Sequence, residues 1–221
     1  MEILRFSDIP YNNQDLEILN MLYKYATNIQ GKILCLDLET TSPKPAKNEI
    51  LQCSMIDGFG QIISNGYFRP IDVDEWPQAE EVNHISPEKV SHCTSFLPYV
   101  KKAQKIIDNY DIIVTYNGIH FDIPILEKYG ISFDGKKHYD VAEHFAKYHG
   151  EIFDGNEEHI KFRLKKLEFC AERLEFPKEQ SVSLHDALGD TEVTLFCFYK
   201  LLSIQLEDAE KQKRFFEKGV R

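Results

Sequence analysis

Two acidic residues inside an otherwise apolar segment constrain this chain more than any other feature of its sequence. Residues 31–43 read GKILCLDLETTSP, so the run starts at a glycine, contains Asp37 and Glu39, and stops at a Ser-Pro pair. This pattern is typical of a buried central β-strand. Because side chains alternate across a strand, Asp37 and Glu39 emerge together on one face, while Leu36 and Leu38 point into a core on the other.

Two neighbouring carboxylates at the end of a buried strand need a compensating partner. Charged groups removed from water are unstable unless they are paired. Basic side chains or raised pKa values would serve, and hard divalent cations, which prefer oxygen ligands, are the natural solution. Asp37 and Glu39 therefore indicate a metal site, and taken alone they leave the other two explanations open.

A further acidic position follows a second predicted strand. Residues 111–126 read DIIVTYNGIHFDIPIL, which predicts a strand, a turn that contains Gly118, and a helix with an apolar face. Asp122 stands where that helix begins. On these residues alone, Asp122 is either a metal ligand or a simple helix N-cap.

The third acidic position is paired with a histidine. Residues 184–193 read LHDALGDTEV and lead into a predicted helix over 187–205. Five positions on a regular helix subtend about 140°, so His185 and Asp190 cannot share one helical face. We therefore predict that His185 lies in the loop before the helix and Asp190 on its first turns. A solvated loop histidine is the alternative.

The remaining patterns predict one α/β domain. Strands are expected at 50–57 and 61–68, joined as an antiparallel meander, and at 111–116 after a helix. Other helices are predicted at 15–27, 141–149 and 164–174, and a polar, acidic linker-like loop is predicted at 150–159. A helix-then-strand order of this kind is typical of α/β folds.

Charge narrows the functional classes. The chain has 36 acidic and 26 basic residues, a formal net charge of −10. This balance argues against a passive binder that holds phosphates with a basic surface. It does not argue against an enzyme, because bound cations can supply the positive charge that phosphates need. The densest basic cluster is Lys161, Arg163, Lys165 and Lys166, which is either a path for phosphates or a solvated helix face.

Length and cysteine content favour a single cytoplasmic domain. The 221 residues are ordinary for one globular domain with a sizeable core. No segment is as long and apolar as a membrane span, and the first residues lack a signal-peptide pattern. The five cysteines are scattered without a Cys-x-x-Cys pair, which is typical of buried reduced thiols.

Taken together, the three acidic segments resemble the DEDDh, or DnaQ-like, branch of the 3′→5′ exonucleases, which includes proofreading subunits of the polymerase III type. Residues 37–41 (DLETT) are similar to the first motif, 117–122 to the second and 185–190 to the third. Residues 82–90 (VNHISPEKV) resemble a stretch that often follows the third strand, with His84 where a glycine is customary.

This resemblance implies a fold and a domain boundary. The expected fold is α/β of ribonuclease H type, a mixed sheet with an antiparallel second strand and helices on both faces. Residues 1–221 would form a single exonuclease domain, in which 1–30 is an N-terminal helical extension and the motifs lie within 32–202.

The resemblance also implies a ligand set. Asp37 would bridge two Mg²⁺ ions, with Mn²⁺ able to substitute; Glu39 and Asp190 would bind the ion that carries the attacking water, and Asp122 would serve the other. His185 is the candidate general base, because an imidazole can change charge near neutral pH. The expected substrate contacts are Thr40, Thr41 and Asn117.

The predicted function is a metal-dependent 3′→5′ exonuclease that releases nucleoside 5′-monophosphates from single-stranded or frayed 3′ ends, with DNA favoured over RNA. One alternative is an exoribonuclease of the same branch. Another is a non-catalytic module that binds ends within a DNA polymerase or repair complex. Small dimeric members of the family also allow a homodimer.

Overall fold

The computed structural model describes residues 29–44, 48–155, 160–177 and 185–219. The helix predicted at 15–27 lies outside these described residues. The strands are β1 (Ile33–Thr40), β2 (Ile50–Asp57), β3 (Ile62–Tyr67), β4 (Ile112–Thr115), β5 (Lys137–Asp140), β6 (Ile152–Gly155) and β7 (Ile160–Phe162). The α-helices are α1 (Pro77–Asn83), α2 (Pro87–Val90), α3 (Val100–Asp108), α4 (Asp122–Lys128), α5 (Val141–His149), α6 (Leu167–Arg173) and α7 (Ala187–Gly219). Short 3₁₀ turns cover Gln30–Lys32 and Leu97–Tyr99.

The first five strands form one mixed sheet in the order β3-β2-β1-β4-β5. Strand β2 runs antiparallel to both β1 and β3, whereas β1, β4 and β5 are parallel to one another. Glu39 lies opposite Gln52 across the β1–β2 pair, and Leu34 lies opposite Asp57 at the other end. The predicted α/β architecture, a mixed sheet with an antiparallel second strand, is confirmed.

Alternation along β1 divides the core into two layers. Leu34, Leu36 and Leu38 are buried on the face that packs against α3 and α4. Ile33 and Cys35 are buried on the other face, among residues of α5, α6 and α7. Because the odd-numbered side chains continue to Asp37 and Glu39, the two carboxylates share one face of β1, as the sequence predicts, and that face is the one toward α7.

The longest helix, α7, packs along the second layer. Phe198 and Leu201 are fully buried there. Its first turn is capped by the preceding Asp186, whose Oδ1 accepts from the Leu188 N–H at 3.1 Å, and is tied to β2, because the Ala187 N–H donates to Gln52 Oε1 at 3.3 Å. These bonds fix where the helix begins relative to β2. The described residues contain no helix that is both long enough and apolar enough to cross a membrane.

The structure corrects the first part of the loop predicted at 150–159, where β6 covers Ile152–Gly155, whereas 156–159 lie outside the described residues. Strands β6 and β7 pair as an antiparallel hairpin in which Ile152 lies opposite Phe162. The acidic and glycine content of the segment suggested a linker, but apolar residues flank it on both sides and allow pairing. Helix α6 also begins later than predicted, at Leu167, because Lys166 before it has an extended backbone (φ −70°, ψ 156°).

Candidate active site

Three carboxylates from two elements meet at the carboxyl end of β1. Asp37 and Glu39 come from the strand, and Asp190 comes from the first turn of α7. One ligand oxygen from each lies within 4.8 Å of the others. The structure therefore brings together three of the four predicted metal ligands in one cluster.

The electrostatics of this cluster are unfavourable without a cation. Burial, followed by repulsion from Asp122 and Asp190, raises the pKa of Asp37 well above its ordinary value. Burial and repulsion from Asp190 raise the pKa of Glu39 to about 8, although a hydrogen bond from Asn83 opposes this. Burial also raises the pKa of Asp190 to about 6, against the lowering effect of the His185 backbone N–H. The fold thus holds acidic groups whose ionised forms lack compensation.

A divalent metal ion fits this donor set. The ligand atoms are carboxylate oxygens, which hard divalent cations prefer, and the cluster has no sulfur or nitrogen ligand that would favour a softer metal. A bound cation would also stabilise the ionised forms that burial disfavours. The acidic cluster is therefore suited to hold a divalent metal.

Asp122 stands beside the cluster and is tied to β1. It is the first residue of α4 and is 2% exposed, and its Oδ1 accepts a hydrogen bond from the Leu38 N–H at 2.9 Å. The N-cap position belongs to Phe121, which makes no side-chain cap bond, so the N-cap alternative for Asp122 is wrong. Burial raises the pKa of Asp122 to about 7, while backbone hydrogen bonds lower it. Its charge acts on Asp37 through this proximity.

The loop that carries Asp122 is held by a second buried aspartate, Asp140, which sequence reasoning missed. Its carboxylate accepts hydrogen bonds from Asn117 N (2.9 Å), Ile119 N (3.1 Å), Ala142 N (3.0 Å), Glu143 N (3.4 Å) and Thr115 Oγ1 (3.4 Å). A capping-box signal was present, because Asp140 is followed three residues later by Glu143 at the start of an apolar helix. Gly118 is required in the same loop, since an added Cβ would lie 2.4 Å from the Thr115 side chain.

His185 lies in the turn before α7, as predicted, at a left-handed backbone position (φ 65°). Its backbone N–H donates to Asp190 Oδ1 at 3.3 Å. Its Nε2 lies 3.2 Å from Glu168 Oε1, and the imidazole is 45% exposed. The ring therefore sits at the rim of the acidic cluster. Glu168 carries no sequence signal of its own, because it is an ordinary acidic residue in the first turn of α6.

A polar network beneath the rim positions the start of α7. Asp186 Oδ2 accepts hydrogen bonds from Tyr67 Oη at 3.0 Å and from Gln52 Nε2 at 3.3 Å. Gln52 is fully buried, and it is the cross-strand neighbour of Glu39. Sequence reasoning missed this network, since a glutamine on a central strand is conspicuous only once α7 is placed over it.

Two of the predicted substrate contacts are buried threonines, Thr40 at the end of β1 and Thr41 directly after it. Thr40 Oγ1 donates to the Ser42 carbonyl at 3.0 Å, and Thr41 Oγ1 accepts from the Glu49 N–H at 3.0 Å. Both hydroxyls are thus engaged within the protein. Asn117, the third predicted contact, lies in the loop after β4 with φ 59°. The contact of all three with substrate stays a prediction.

The segment 82–90 lies against the first motif. Asn83 is 5% exposed, donates to the Thr40 carbonyl at 3.4 Å and forms the hydrogen bond to Glu39 that lowers its pKa. His84 adopts a left-handed conformation (φ 54°, ψ 30°) as the C-cap of α1. This geometry explains why a glycine is customary at that position.

The fold and the cluster together define the class of protein. A mixed sheet of ribonuclease H type with carboxylates grouped at the end of its first strand is the framework of a metal-dependent nuclease domain. A family model described as Exonuclease, of the RNase T type, matches residues 34–198, so the chain belongs to this exonuclease family. The match contains all three motifs and confirms the predicted resemblance to DnaQ-like exonucleases. The closer resemblance to proofreading subunits stays a prediction.

Solved structures of E. coli exonuclease I share the fold. The complex with a dA16 oligonucleotide matches with a TM-score of 0.58 and 17% identity, over 78% of this chain and 40% of that one. The zinc-bound complex with ssDNA matches with a TM-score of 0.59 and 18% identity, over 86% of this chain and 42% of that one. This chain thus spans less than half the length of those proteins. No curated protein matches it in sequence.

Proposed function

We propose that this chain is a divalent-metal-dependent 3′→5′ exonuclease that hydrolyses single-stranded or frayed nucleic-acid ends and releases nucleoside 5′-monophosphates. The observation that carries the proposal is the convergence of Asp37, Glu39 and Asp190 within 4.8 Å, with His185 at the rim. Membership of the exonuclease family supports the same chemistry.

Asp37, Glu39 and Asp190 would hold the metal, with Asp122 adding its charge from the neighbouring helix. Two Mg²⁺ ions fit the proposal, and Mn²⁺ should substitute because it accepts similar oxygen ligands. When bound, such ions supply a clamp for the scissile phosphate and lower the pKa of the attacking water. The chain contributes by holding three half-buried carboxylates close together beside the buried Asp122, where a cation can neutralise them.

His185 would take the proton from the attacking water. Its backbone bond to Asp190 and its contact with Glu168 hold the imidazole at the rim, where substrate and water can reach it. A positioned general base contributes about 10²- to 10⁴-fold to a rate. The backbone around Thr40 and Thr41, together with Asn117, would contact the terminal nucleotide.

DNA is the favoured substrate. The E. coli exonuclease I structures that share this fold are complexes with a dA16 oligonucleotide and with ssDNA, which supports single-stranded DNA. An exoribonuclease of the same branch is the second candidate. A single domain over 1–221, a cytoplasmic location, a homodimer and an association with a polymerase or repair complex stay predictions.

A gel time course tests the proposal. Wild-type protein is incubated with 5′-labelled DNA and RNA strands of matched sequence, with Mg²⁺ or with EDTA. We expect a Mg²⁺-dependent ladder that shortens from the 3′ end, faster on DNA. In His185→Ala the rate should fall about 100-fold or more.

The matched control is His92→Ala, which changes an exposed histidine in the turn after α2. It should shorten both strands at the wild-type rate. If neither strand shortens with Mg²⁺ or Mn²⁺, the catalytic proposal fails, and binding of 3′ ends without turnover becomes the better description.

A further inference from the structure

A cleft separates helix α5 from the β6–β7 hairpin and the residues that follow it. Its volume is about 560 Å³. The residues that matter for its chemistry are His120, Glu143, Lys147, Phe153, Lys161 and Arg163. None of the four acidic motif residues lines it, so the cleft is separate from the carboxylate cluster.

An aromatic side chain is displayed at this cleft instead of being buried. Phe153 is 62% exposed, whereas aromatic rings of the core are almost fully covered. The guanidinium of Arg163 lies 4.8 Å from the centre of the Phe153 ring. An exposed ring next to a cation is the combination that binds a nucleobase together with its phosphate.

The cleft is basic on a chain that is acidic overall. Lys147, Lys161 and Arg163 line it, and the carboxylate of Glu143 lies 3.2 Å from His120 Nε2. This concentration of cations contrasts with the formal net charge of −10 for the whole chain. A polyanion is therefore the ligand that the cleft complements.

The basic cluster predicted from sequence divides into two parts. Glu151 forms ion pairs with Lys165 and, at 2.8 Å, with Arg163 Nε. The Lys165 side chain is only 18% exposed, so it stabilises the loop before α6. Lys161 is exposed and lines the cleft, which makes it the residue best placed for a phosphate contact.

The cleft adjoins the loop that presents Asp122. His120 lines the cleft and precedes Asp122 by two residues in the chain. Asp140 anchors that loop and the first turn of α5 through the same carboxylate, so the two regions are held together rigidly. His120 therefore connects the cleft to the loop that leads into Asp122.

We propose that this cleft is a second binding site for the strand whose 3′ end occupies the carboxylate cluster, and that its ligand is single-stranded nucleic acid. The proposal rests on the proposed function and adds a site to it. A base stacks on Phe153, and phosphates contact Lys161 and Arg163. Duplexes bind less well because their base faces are already stacked on one another. DNA and RNA share this chemistry and are separate arms of the test.

Fluorescence anisotropy with labelled single strands measures the contribution of the ring. Ca²⁺ replaces Mg²⁺, and a gel verifies that the strand stays intact. We expect Phe153→Ala to raise the Kd about tenfold for single strands, in keeping with the loss of one stacked base. The control is Phe59→Ala. Phe59 is 60% exposed in the turn between β2 and β3. This turn lies near the start of β1, whereas Glu39 lies near its carboxyl end.

A salt titration measures the contribution of the lysine. Each phosphate contact on a single strand contributes about 0.7 to the slope of log Kobs against log salt. Lys161→Gln should therefore reduce the slope by about 0.7, whereas Phe153→Ala should leave it unchanged. Lys101→Gln, which changes an exposed lysine on α3, is the control and should alter neither the slope nor the Kd.

The outcomes separate this proposal from the proposed function. Mg²⁺-dependent shortening by wild type decides catalysis alone. Single-strand Kd values of Phe153→Ala and Lys161→Gln within roughly twofold of wild type overturn the cleft proposal, even if the wild type is an active exonuclease. Equal losses of Phe153→Ala on single strands and duplexes also overturn it, as does a wild type that does not bind single strands. Losses confined to single strands support the cleft even if no strand is ever shortened.

Discussion

Asp37 is half-buried and Asp140 is buried, and both lie near the carboxyl ends of parallel strands, yet their surroundings are opposite. Asp140 is 1% exposed and accepts hydrogen bonds from four backbone N–H groups and one hydroxyl. Among the described residues, Asp37 has no hydrogen-bond donor. Its closest electrostatic partners are other carboxylates, which help to raise its pKa.

This difference distinguishes an aspartate with a structural role from one with a functional role. A buried charge that the backbone solvates stabilises the fold, because its donors and its own oxygens satisfy each other. A half-buried charge that faces only like charges destabilises the fold, and it is retained where a ligand will neutralise it. Asp140 therefore holds the loop in place, whereas Asp37 is kept for a cation.

The largest expected effect is on turnover in Asp37→Asn. Loss of a charged ligand should remove about 4 kcal/mol of transition-state stabilisation, a decrease of about 10³-fold in kcat with Mg²⁺. The same variant should melt at a higher temperature than wild type in EDTA at about pH 8, since the change removes one repelling charge. Gel rates and thermal melts measure the two effects.

Asp108→Asn is the matched control for this variant, because Asp108 is exposed on α3. It should change neither rate nor melting temperature. A lower melting temperature for Asp37→Asn in EDTA would show that the fold itself stabilises the Asp37 charge, and the contrast with Asp140 would disappear.

The same substitution at Asp140 should have the opposite effect on stability. In Asp140→Asn an amide NH₂ replaces one acceptor oxygen, so a donor such as the Ile119 N–H, now bonded at 3.1 Å, loses its partner. The expected loss is about 2–3 kcal/mol of unfolding free energy, measured by urea denaturation. A loss below about 0.5 kcal/mol, the range of ordinary surface changes, would contradict a structural role.

The pH dependence of stability should also reveal the unsatisfied cluster. An unfolded glutamate has a pKa of about 4.3, whereas burial raises the pKa of folded Glu39 to about 8. Between these values the folded protein binds more protons than the unfolded chain, so stability falls as pH rises. In EDTA we expect the melting temperature to fall by several degrees from about pH 5 to about pH 8, at roughly 2–4 °C for each kcal/mol.

Saturating Mg²⁺ should reduce this fall, because a bound cation stabilises the ionised carboxylates. Glu39→Gln should reduce it in EDTA as well, whereas Glu127→Gln, an exposed change on α4, should not. A fall that is identical in all three proteins and unaffected by Mg²⁺ would place the origin of the pH dependence elsewhere.

The sequence predicted the unsatisfied residues better than the satisfied ones. Asp37 and Glu39 interrupt an apolar strand, so their period-two spacing is a local signal. The relation between His185 and Asp190 followed from helix geometry alone. Asp140, by contrast, looks like any helix cap, and only the parallel pairing of β4 with β5 shows that it also holds the Asn117 loop.

Residues that act across elements could not be predicted from one segment. Gln52 touches the start of α7 only because the sheet places β2 beside β1 and the helix lies over both. The β6–β7 hairpin was missed because its composition outweighed a weak apolar pattern around Phe153. Pairing and packing between distant segments determine these features, and the local periodicity of the sequence predicts neither of them.

The smallest expected effect concerns Glu168, a carboxylate that, within the described part of the chain, is neither satisfied by backbone donors, as Asp140 is, nor surrounded by like charges, as Asp37 is. Its contact with His185 Nε2 at 3.2 Å joins side chains that are 37% and 45% exposed. Exposed pairs contribute about 0.2–1 kcal/mol, so Glu168→Gln should lower kcat by at most about fivefold and leave KM unchanged. Glu172→Gln, an exposed change one turn later on α6, should have no effect.

Steady-state kinetics on a single-stranded DNA would decide the role of Glu168. A loss as large as that of His185→Ala would mean that Glu168 handles a proton or a metal itself, and the functional charges would then extend from the half-buried cluster to the surface. No loss at all would mean that the backbone bond to Asp190 is sufficient to orient the histidine. The intermediate result would make Glu168 a positioning residue, a carboxylate that acts on the reaction only through the imidazole that it holds.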